Sequence, residues 1–281
     1  MIFQEIEFIR PQSIAEAVSV YRECSEAGLK PEYFAGGTEL VTMARDGKLS
    51  AGAFVDLKTI PDTHRLESED GELTIGTSVR LNDLSQRLDT PLMTRCIDNL
   101  ADHTVRNSIT LGGNIAGRLP YREAMLPLVL AGADAFVAGS ADTASADTRR
   151  VPLRELFDKR LRLASGEFVV AFALPREAAE SPFWYGRWVR STRVDYPIVT
   201  LACTASEDSL LFATSGSFAY PVWGSIFFDE LKENQAERVV HGVLDGLGSF
   251  RTDFRASAEY RRALMALGLN KALGSLWKKS G

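Results

Sequence analysis

Apolar positions along the chain follow two periods. After Pro11, the residues Ile14, Ala17, Val18 and Tyr21 recur at three- and four-residue spacing, the stripe of a helix with one buried face. Ser13 and Glu16 form an S-x-x-E capping box ahead of that stripe, and Gly28 supplies the stop. Short apolar runs predict strands at Tyr33-Phe34-Ala35 and at 53–57, and 72–77 alternates after the turn signal Asp70-Gly71. Residues 81–103 predict one helix opened by Asn82 or Asp83, and 122–131 predict another. Further strands are expected at 135–138, 167–174, 184–190, 198–205 and 209–218, with helices near 227–245 and 255–276. Strands and helices do not alternate as regular βαβ units, so the expected fold class is α+β. The segment 175–182 has a proline at each end and is the best domain boundary. Ser140–Thr143 and its near copy Ser145–Thr148 read as a hairpin tip or loop.

Composition narrows the function classes. The 281 residues suffice for two domains, or for one with a smaller appendage. A net charge of −5 with no basic stripe argues against a protein that grips nucleic acid. The most apolar run, 124–138, is interrupted by Pro127, Gly132 and Asp134 and falls short of a bilayer span, so no membrane segment is expected. The first residues, Met1 to Glu5, lack the basic segment and apolar core of a signal peptide, which makes the cytoplasm the expected location. Cys24, Cys96 and Cys203 are far apart with no C-x-x-C spacing, and they read as reduced thiols. His64, His103 and His241 are equally scattered, so no metal site is expected.

Two diglycine segments about seventy residues apart carry the most chemistry. They are Ala35-Gly36-Gly37-Thr38-Glu39-Leu40 and Thr110-Leu111-Gly112-Gly113-Asn114. Paired glycines admit positive φ and let the backbone approach a ligand with no Cβ in the way. Successive N–H groups in such a turn can form an anion-binding concavity. Two of them suit a ligand with two linked phosphates, which points to a dinucleotide held somewhere other than on a Rossmann fold.

With their surroundings, these segments resemble the FAD-binding subunit of the molybdenum hydroxylases, which include bacterial xanthine dehydrogenase and carbon monoxide dehydrogenase. The family's A-G-G-T-D-L element is similar to Ala35–Leu40, with Glu39 in place of Asp. Its R-N-x-A-T-I-G-G-N element is similar to Arg106–Asn114. Leu73-Thr74-Ile75-Gly76, Arg150–Leu153, Gly166–Val169 and Phe254–Arg262 match further family segments in the expected order, so the likeness spans nearly the whole chain. The resemblance implies a two-lobed FAD-binding domain of the p-cresol methylhydroxylase and vanillyl-alcohol oxidase (PCMH/VAO) type at 1–176, with lobes of about 1–58 and 59–176. A small α+β C-terminal domain, an antiparallel sheet plus helices, would occupy 177–281.

The same resemblance assigns roles. Glu32, Tyr33, Phe34, Ala35, Gly36, Gly37, Thr38, Glu39 and Leu40 would wrap the FAD pyrophosphate together with Thr110, Leu111, Gly112, Gly113 and Asn114, mostly through backbone N–H groups. Arg106 belongs to the second motif, and Glu123 stands nine positions after Asn114, where the family has an acid at the flavin side. Phe168 would meet the adenine end, and Arg187 stands where a Lys approaches FAD. No catalytic base is expected. The implied function is electron transfer in a xanthine dehydrogenase-like oxidoreductase. Electrons would come from a molybdopterin-binding large subunit through a [2Fe–2S] small subunit and leave to NAD or another acceptor. A flavin-free scaffold subunit and a stand-alone flavin oxidoreductase of the same fold are the alternatives.

The chain departs from the family pattern in two places. Arg118-Leu119-Pro120-Tyr121-Arg122 replaces a run of small residues, which would put positive charge near the flavin or reshape one of its faces. Ser191 stands where an Arg is expected between Arg187 and Asp195, with Arg190 or Arg193 as substitutes. Trp184, Tyr185, Trp188, Tyr220 and Trp223 concentrate aromatic surface nearby, as core or as a subunit interface.

Overall fold

Ser13 opens the first helix as its sequence predicts. Its hydroxyl accepts the Glu16 amide at 3.2 Å, and the Glu16 carboxylate reaches back to the Gln12 amide at 2.7 Å, one residue earlier than a standard box. The computed structural model describes residues 5–139, 147–190, 194–231 and 236–277. Most of the Ser-Ala-Asp-Thr repeat, together with Ser191 and Arg193, lies outside them. The chain forms two compact units, one of residues 1–87, 103–117 and 133–176, the other of 88–102, 118–132 and 177–281. Residues 88–102 and 118–132, which fall inside the expected N-terminal domain by sequence order, therefore belong to the second unit.

Among the described residues, the first unit holds two larger sheets and a two-stranded hairpin. β1 (Glu7–Ile9), β2 (Pro31–Phe34) and β3 (Ala53–Asp56) form a parallel sheet in the order β1-β3-β2. The central strand β3 is buried throughout, so it reads as a continuous run and not as an alternation. α1 (Ile14–Glu26) lays Ala17 and Val18 against Val55 and Leu57, and α2 (Thr38–Arg45) packs Leu40, Met43 and Ala44 around Phe54. The second sheet is antiparallel, in the order β4-β5-β10-β6-β7. It consists of β4 (Leu66–Glu69), β5 (Glu72–Gly76), β6 (Asp134–Ala138), β7 (Thr148–Pro152) and β10 (Phe168–Pro175), with β8 (Phe157–Asp158) and β9 (Arg160–Leu161) a separate hairpin.

The single helix expected over 81–103 is broken. α3 (Leu81–Arg87) stays in the first unit, α4 (Pro91–Asp98) joins the second, and α5 (His103–Arg106) returns to the first. Pro91 explains the break: it restrains Thr90 to extended backbone and serves as the first residue of α4. α6 (Leu111–Ala116) and the short α8 (Leu153–Leu156) complete the first unit, and α9 (Arg176–Glu180) carries the chain out of it.

In the second unit β11 (Phe183–Trp188), β12 (Val199–Ala205), β13 (Ser209–Ser215) and β14 (Val222–Phe227) form an antiparallel meander. Strand alternation sends Leu201, Cys203, Leu210 and Phe212 to one face, where α10 (Ala236–Gly246) and α11 (Ala258–Leu276) supply Val240, Leu244, Met265 and Leu269. The opposite face, with Ala202 and Ala213, packs on Leu92 and Cys96 of α4 and on Leu126 and Leu130 of α7 (Met125–Leu130). Trp184 and Trp188 join the first of these clusters and Tyr185 and Trp223 the second, so those four aromatics serve the core. Arg261 on α11 is fully buried, bonded to Asp253 at 2.6 Å, to the Gly216 carbonyl at 2.9 Å and to the Ile198 carbonyl.

Candidate functional site

The first glycine bend joins β2 to α2. Gly37 is the N-cap of α2 at φ +70°, and a Cβ there would overlap the Phe34 ring. Both the backbone conformation and the space require glycine. Gly37 has no side chain to cap the helix, so the first-turn amides of α2 lack the usual N-cap bond. At Gly36 the constraint is a neighbour: a Cβ would overlap the Ser108 carbonyl oxygen and lie 3.2 Å from the Thr110 amide nitrogen. The two glycine segments are thus in backbone contact within the first unit.

A short bridge between Arg80 and Thr110 holds the second segment in place. Leu81 donates to the Ile109 carbonyl at 3.0 Å and Leu111 to the Val79 carbonyl at 2.9 Å. Gly112 and Gly113 are helical and not at positive φ, because the segment is the first turn of α6. A Cβ on Gly112 would overlap the Thr77 hydroxyl, and Thr110 caps the helix by accepting the Gly113 amide at 3.2 Å. The Gly112 amide bonds the Thr77 carbonyl and the Asn114 amide the Thr110 carbonyl, both at 2.9 Å. The amides of Leu111, Gly112, Gly113 and Asn114 are therefore all used inside the chain. Sequence reasoning expected them to face an anion. The Val79 and Thr77 carbonyls take up the first two and the capped first turn of α6 the other two.

Other sequence-predicted residues fall around this pair. The Glu39 carboxylate lies 2.7 Å from where a Cβ on Gly117 would sit, so α2 also meets the end of α6. Arg106 Nε donates to Asn82 Oδ1 at 3.0 Å, and Asn82 Nδ2 bonds Asn107 and the His103 carbonyl at 2.7 Å each, which ties α5 to α3. Tyr33 packs at 4.6 Å from both Phe168 and Tyr21, and its hydroxyl donates to the Gly166 carbonyl at 2.8 Å. Burial pushes that hydroxyl far above its ordinary pKa and keeps it protonated. Glu32 precedes it on β2.

Lys58, which sequence reasoning passed over, reaches the first bend from below. Its ammonium donates to the Ala35 carbonyl at 2.9 Å and to Asp56 Oδ1 at 2.5 Å. The acid-and-lysine pair at the end of a strand was the available signal, but nothing local told that the lysine turns back by 23 residues.

Glu123 and Arg187 belong to the second unit. Both are buried, with Oε1 and Nε 3.7 Å apart, and Arg187 Nη2 donates to the Asp195 carbonyl at 2.5 Å. Burial raises the Glu123 pKa despite the arginine beside it. In the divergent segment before it, Arg118 and Leu119 are exposed, while Tyr121 and Arg122 are buried. Tyr121 stacks on Tyr196 at 4.4 Å and accepts from Arg251 at 3.0 Å. Arg122 is buried, its amide donating to Ser215 Oγ at 3.0 Å and its Nε to the Leu119 carbonyl at 3.0 Å. Tyr121 and Arg122 thus serve the packing of the second unit. Among the described residues, no group of three or more His, Cys, Asp or Glu could hold a metal, and no helix is long and apolar enough to cross a membrane.

The run β1-α1-β2-α2-β3 is a parallel βαβαβ unit, contrary to the expectation that no such units occur. The antiparallel second sheet beside it sets the first unit apart from a doubly wound Rossmann sheet, and the two glycine segments meet within that unit. Residues 4–177 match the family described as FAD binding domain in molybdopterin dehydrogenase, and the chain belongs to that family, whose cofactor is FAD. It is 29% identical over 120 residues to the carbon monoxide dehydrogenase medium chain of Hydrogenophaga pseudoflava, covering 41% of each chain. It is 27% identical over 128 residues to the caffeine dehydrogenase subunit beta of Pseudomonas sp. (strain CBB1), covering 44% of this chain and 42% of that one. The alignments thus span about two fifths of those relatives. In three dimensions, a carbon monoxide dehydrogenase structure from Hydrogenophaga pseudoflava superposes over 99% of both chains with a TM-score of 0.82 at 21% identity. The expected fold class is the observed one.

Proposed function

We propose that this chain is the FAD-carrying electron-transfer subunit of a molybdenum-dependent hydroxylase of the xanthine dehydrogenase type. One observation carries the reading: a Cβ on Gly36 would overlap the Ser108 carbonyl oxygen and lie 3.2 Å from the Thr110 nitrogen, so a glycine there lets the two segments meet and form one cradle. A diphosphate fits such a cradle, because the first-turn amides of α2 and the positive end of its helix dipole favour an anion. Thr110 is buried at this contact and caps α6 by accepting from Gly113. Asn114 contributes its amide side chain. Phe34, Ala35, Thr38 and Leu40 shape the rest of the first bend, and Tyr33 with Phe168 closes the adenine end.

FAD bound here supplies the conversion between one-electron and two-electron transfer. The protein's own residues position it and exclude water. Within the second unit, Glu123 pairs with Arg187 and holds that cation fixed. In this reading the FAD-binding domain is 1–176 and the C-terminal domain 177–281. A molybdopterin-binding large subunit and a [2Fe–2S] small subunit are the partners, NAD or another acceptor takes the electrons, and the assembly works in the cytoplasm. Purified chain titrated with FAD should develop bands near ~370 and ~450 nm that stay with the protein through gel filtration. Co-expression with the two partner chains should give a complex that bleaches these bands when the substrate of the large subunit is added. Protein that stays colourless after incubation with FAD would overturn the reading.

A further inference from the structure

Lys58 occupies a position that no motif marks, and its ammonium reaches the first glycine bend. Its ammonium donates to the Ala35 carbonyl and lies 4.5 Å from the centroid of the Phe34 ring, the same ring that fills the space beside Gly37. The ammonium is itself held by Asp56, whose carboxylate is buried and also accepts the Lys58 amide at 3.1 Å. Arg10 stands 3.9 Å from the other carboxylate oxygen. His64 Nε2 and the Lys58 carbonyl, 2.9 Å apart, secure the backbone on the far side.

We infer that Lys58 is a positioning residue for the diphosphate cradle, acting through the Ala35–Gly36 peptide. The inference rests on the reading of that cradle as the FAD site. A peptide unit is planar and trans, and the C=O and N–H of one unit point in opposite directions. Pinning the Ala35 carbonyl toward Lys58 therefore aims the Gly36 amide the other way. Glycines at 36 and 37 give the bend wide intrinsic freedom, and the fixed Ala35 carbonyl adds to the Ser108 and Phe34 contacts that narrow it. Because Asp56 sits within 2.5 Å of the ammonium, the pair is close to neutral as seen from a ligand. Lys58 thus contributes direction as well as charge, and part of its effect on binding should survive at high salt.

Wild type, Lys58→Met and Lys58→Arg full-length chains should be titrated with FAD and, separately, with ADP as a probe of the diphosphate half alone. Ligand-free melting would be followed in parallel. Lys58→Met should bind both ligands about tenfold more weakly at low salt, and part of that loss should persist at high salt, as expected for the loss of one charge-assisted hydrogen bond. Lys58→Arg, which can still donate to Ala35 and Asp56 together, should recover most of that loss. Lys58→Met that binds FAD as wild type does would overturn the proposal. So would a loss of affinity that disappears at high salt, or one that Lys58→Arg leaves unrepaired. Wild type that binds neither FAD nor ADP would overturn the reading of the site itself, and the proposal with it.

Discussion

Replacing Gly36 with alanine tests the contact on which the cradle depends. The added methyl would overlap the Ser108 carbonyl oxygen, with the Ser108 carbonyl carbon and the Thr110 nitrogen each 3.2 Å away. All three neighbours are backbone, so no flexible side chain can swing aside and the two segments must separate. Overpacking of this kind costs typically 1–3 kcal/mol, and a purely main-chain obstacle belongs at the upper end, about 3 kcal/mol. For a chain of this size that is a fall of about 6–9 °C in melting temperature. Gly242→Ala is the control, since that glycine lies inside α10 with nothing within 4 Å of the new methyl. It should be neutral or stabilise by about 0.5–1 kcal/mol through helix propensity alone. Thermal melts of the ligand-free chains give the stability difference, and FAD titration by flavin fluorescence gives affinity, which should drop at least tenfold for Gly36→Ala. If Gly36→Ala melts within a degree of wild type and binds FAD equally well, the two segments are not in contact and the reasoning fails.

Glu123 makes stability depend on pH. Burial raises its pKa above the ordinary 4.5, so the folded chain holds this proton more tightly than the unfolded one. The resulting stability is complete below the ordinary value and declines as the pH rises through the raised one. Urea melts of wild type and Glu123→Gln between pH ~4 and ~8 should show the variant gaining on wild type as the pH rises, and a difference that is constant with pH would exclude this. Arg261→Met should destabilise the second unit by about 3 kcal/mol, because it removes a buried cation from Asp253 and leaves two carbonyls without their donor. Denaturant unfolding would reveal it, and a change below about 1 kcal/mol would contradict the assigned bonds. Cys24, Cys96 and Cys203 are all buried, and burial raises each thiol pKa. Iodoacetamide should therefore label the native chain slowly and all three thiols at once on unfolding, as intact mass spectrometry would record.

Local signals in this chain were reliable where the physics is local. The Ser13 cap, the Gly28 stop and the strands at 53–57, 72–77 and 167–174 all stand close to where their residues predict. Where a local signal was weak, the prediction slipped. Val222–Phe227 is a strand whose alternation is interrupted by Gly224 and Ser225, and its pairing with β13 supplies what the pattern lacks. Thr90-Pro91 was legible as a break, but the apolar run on either side masked it.

By itself the sequence determined the fold class, the two glycine segments and the absence of cluster-type cysteine spacing, because caps, periodicity and φ preferences depend on residues only a few positions apart. Tertiary structure alone decided that Gly36 rests on Ser108, that the amides of 111–114 turn inward, that Lys58 reaches back to Ala35 and that Glu123 is buried against Arg187. Each of these joins chain segments 23 or more residues apart, or depends on what surrounds a group once folded. No short window of residues encodes the burial and backbone approach that make those contacts.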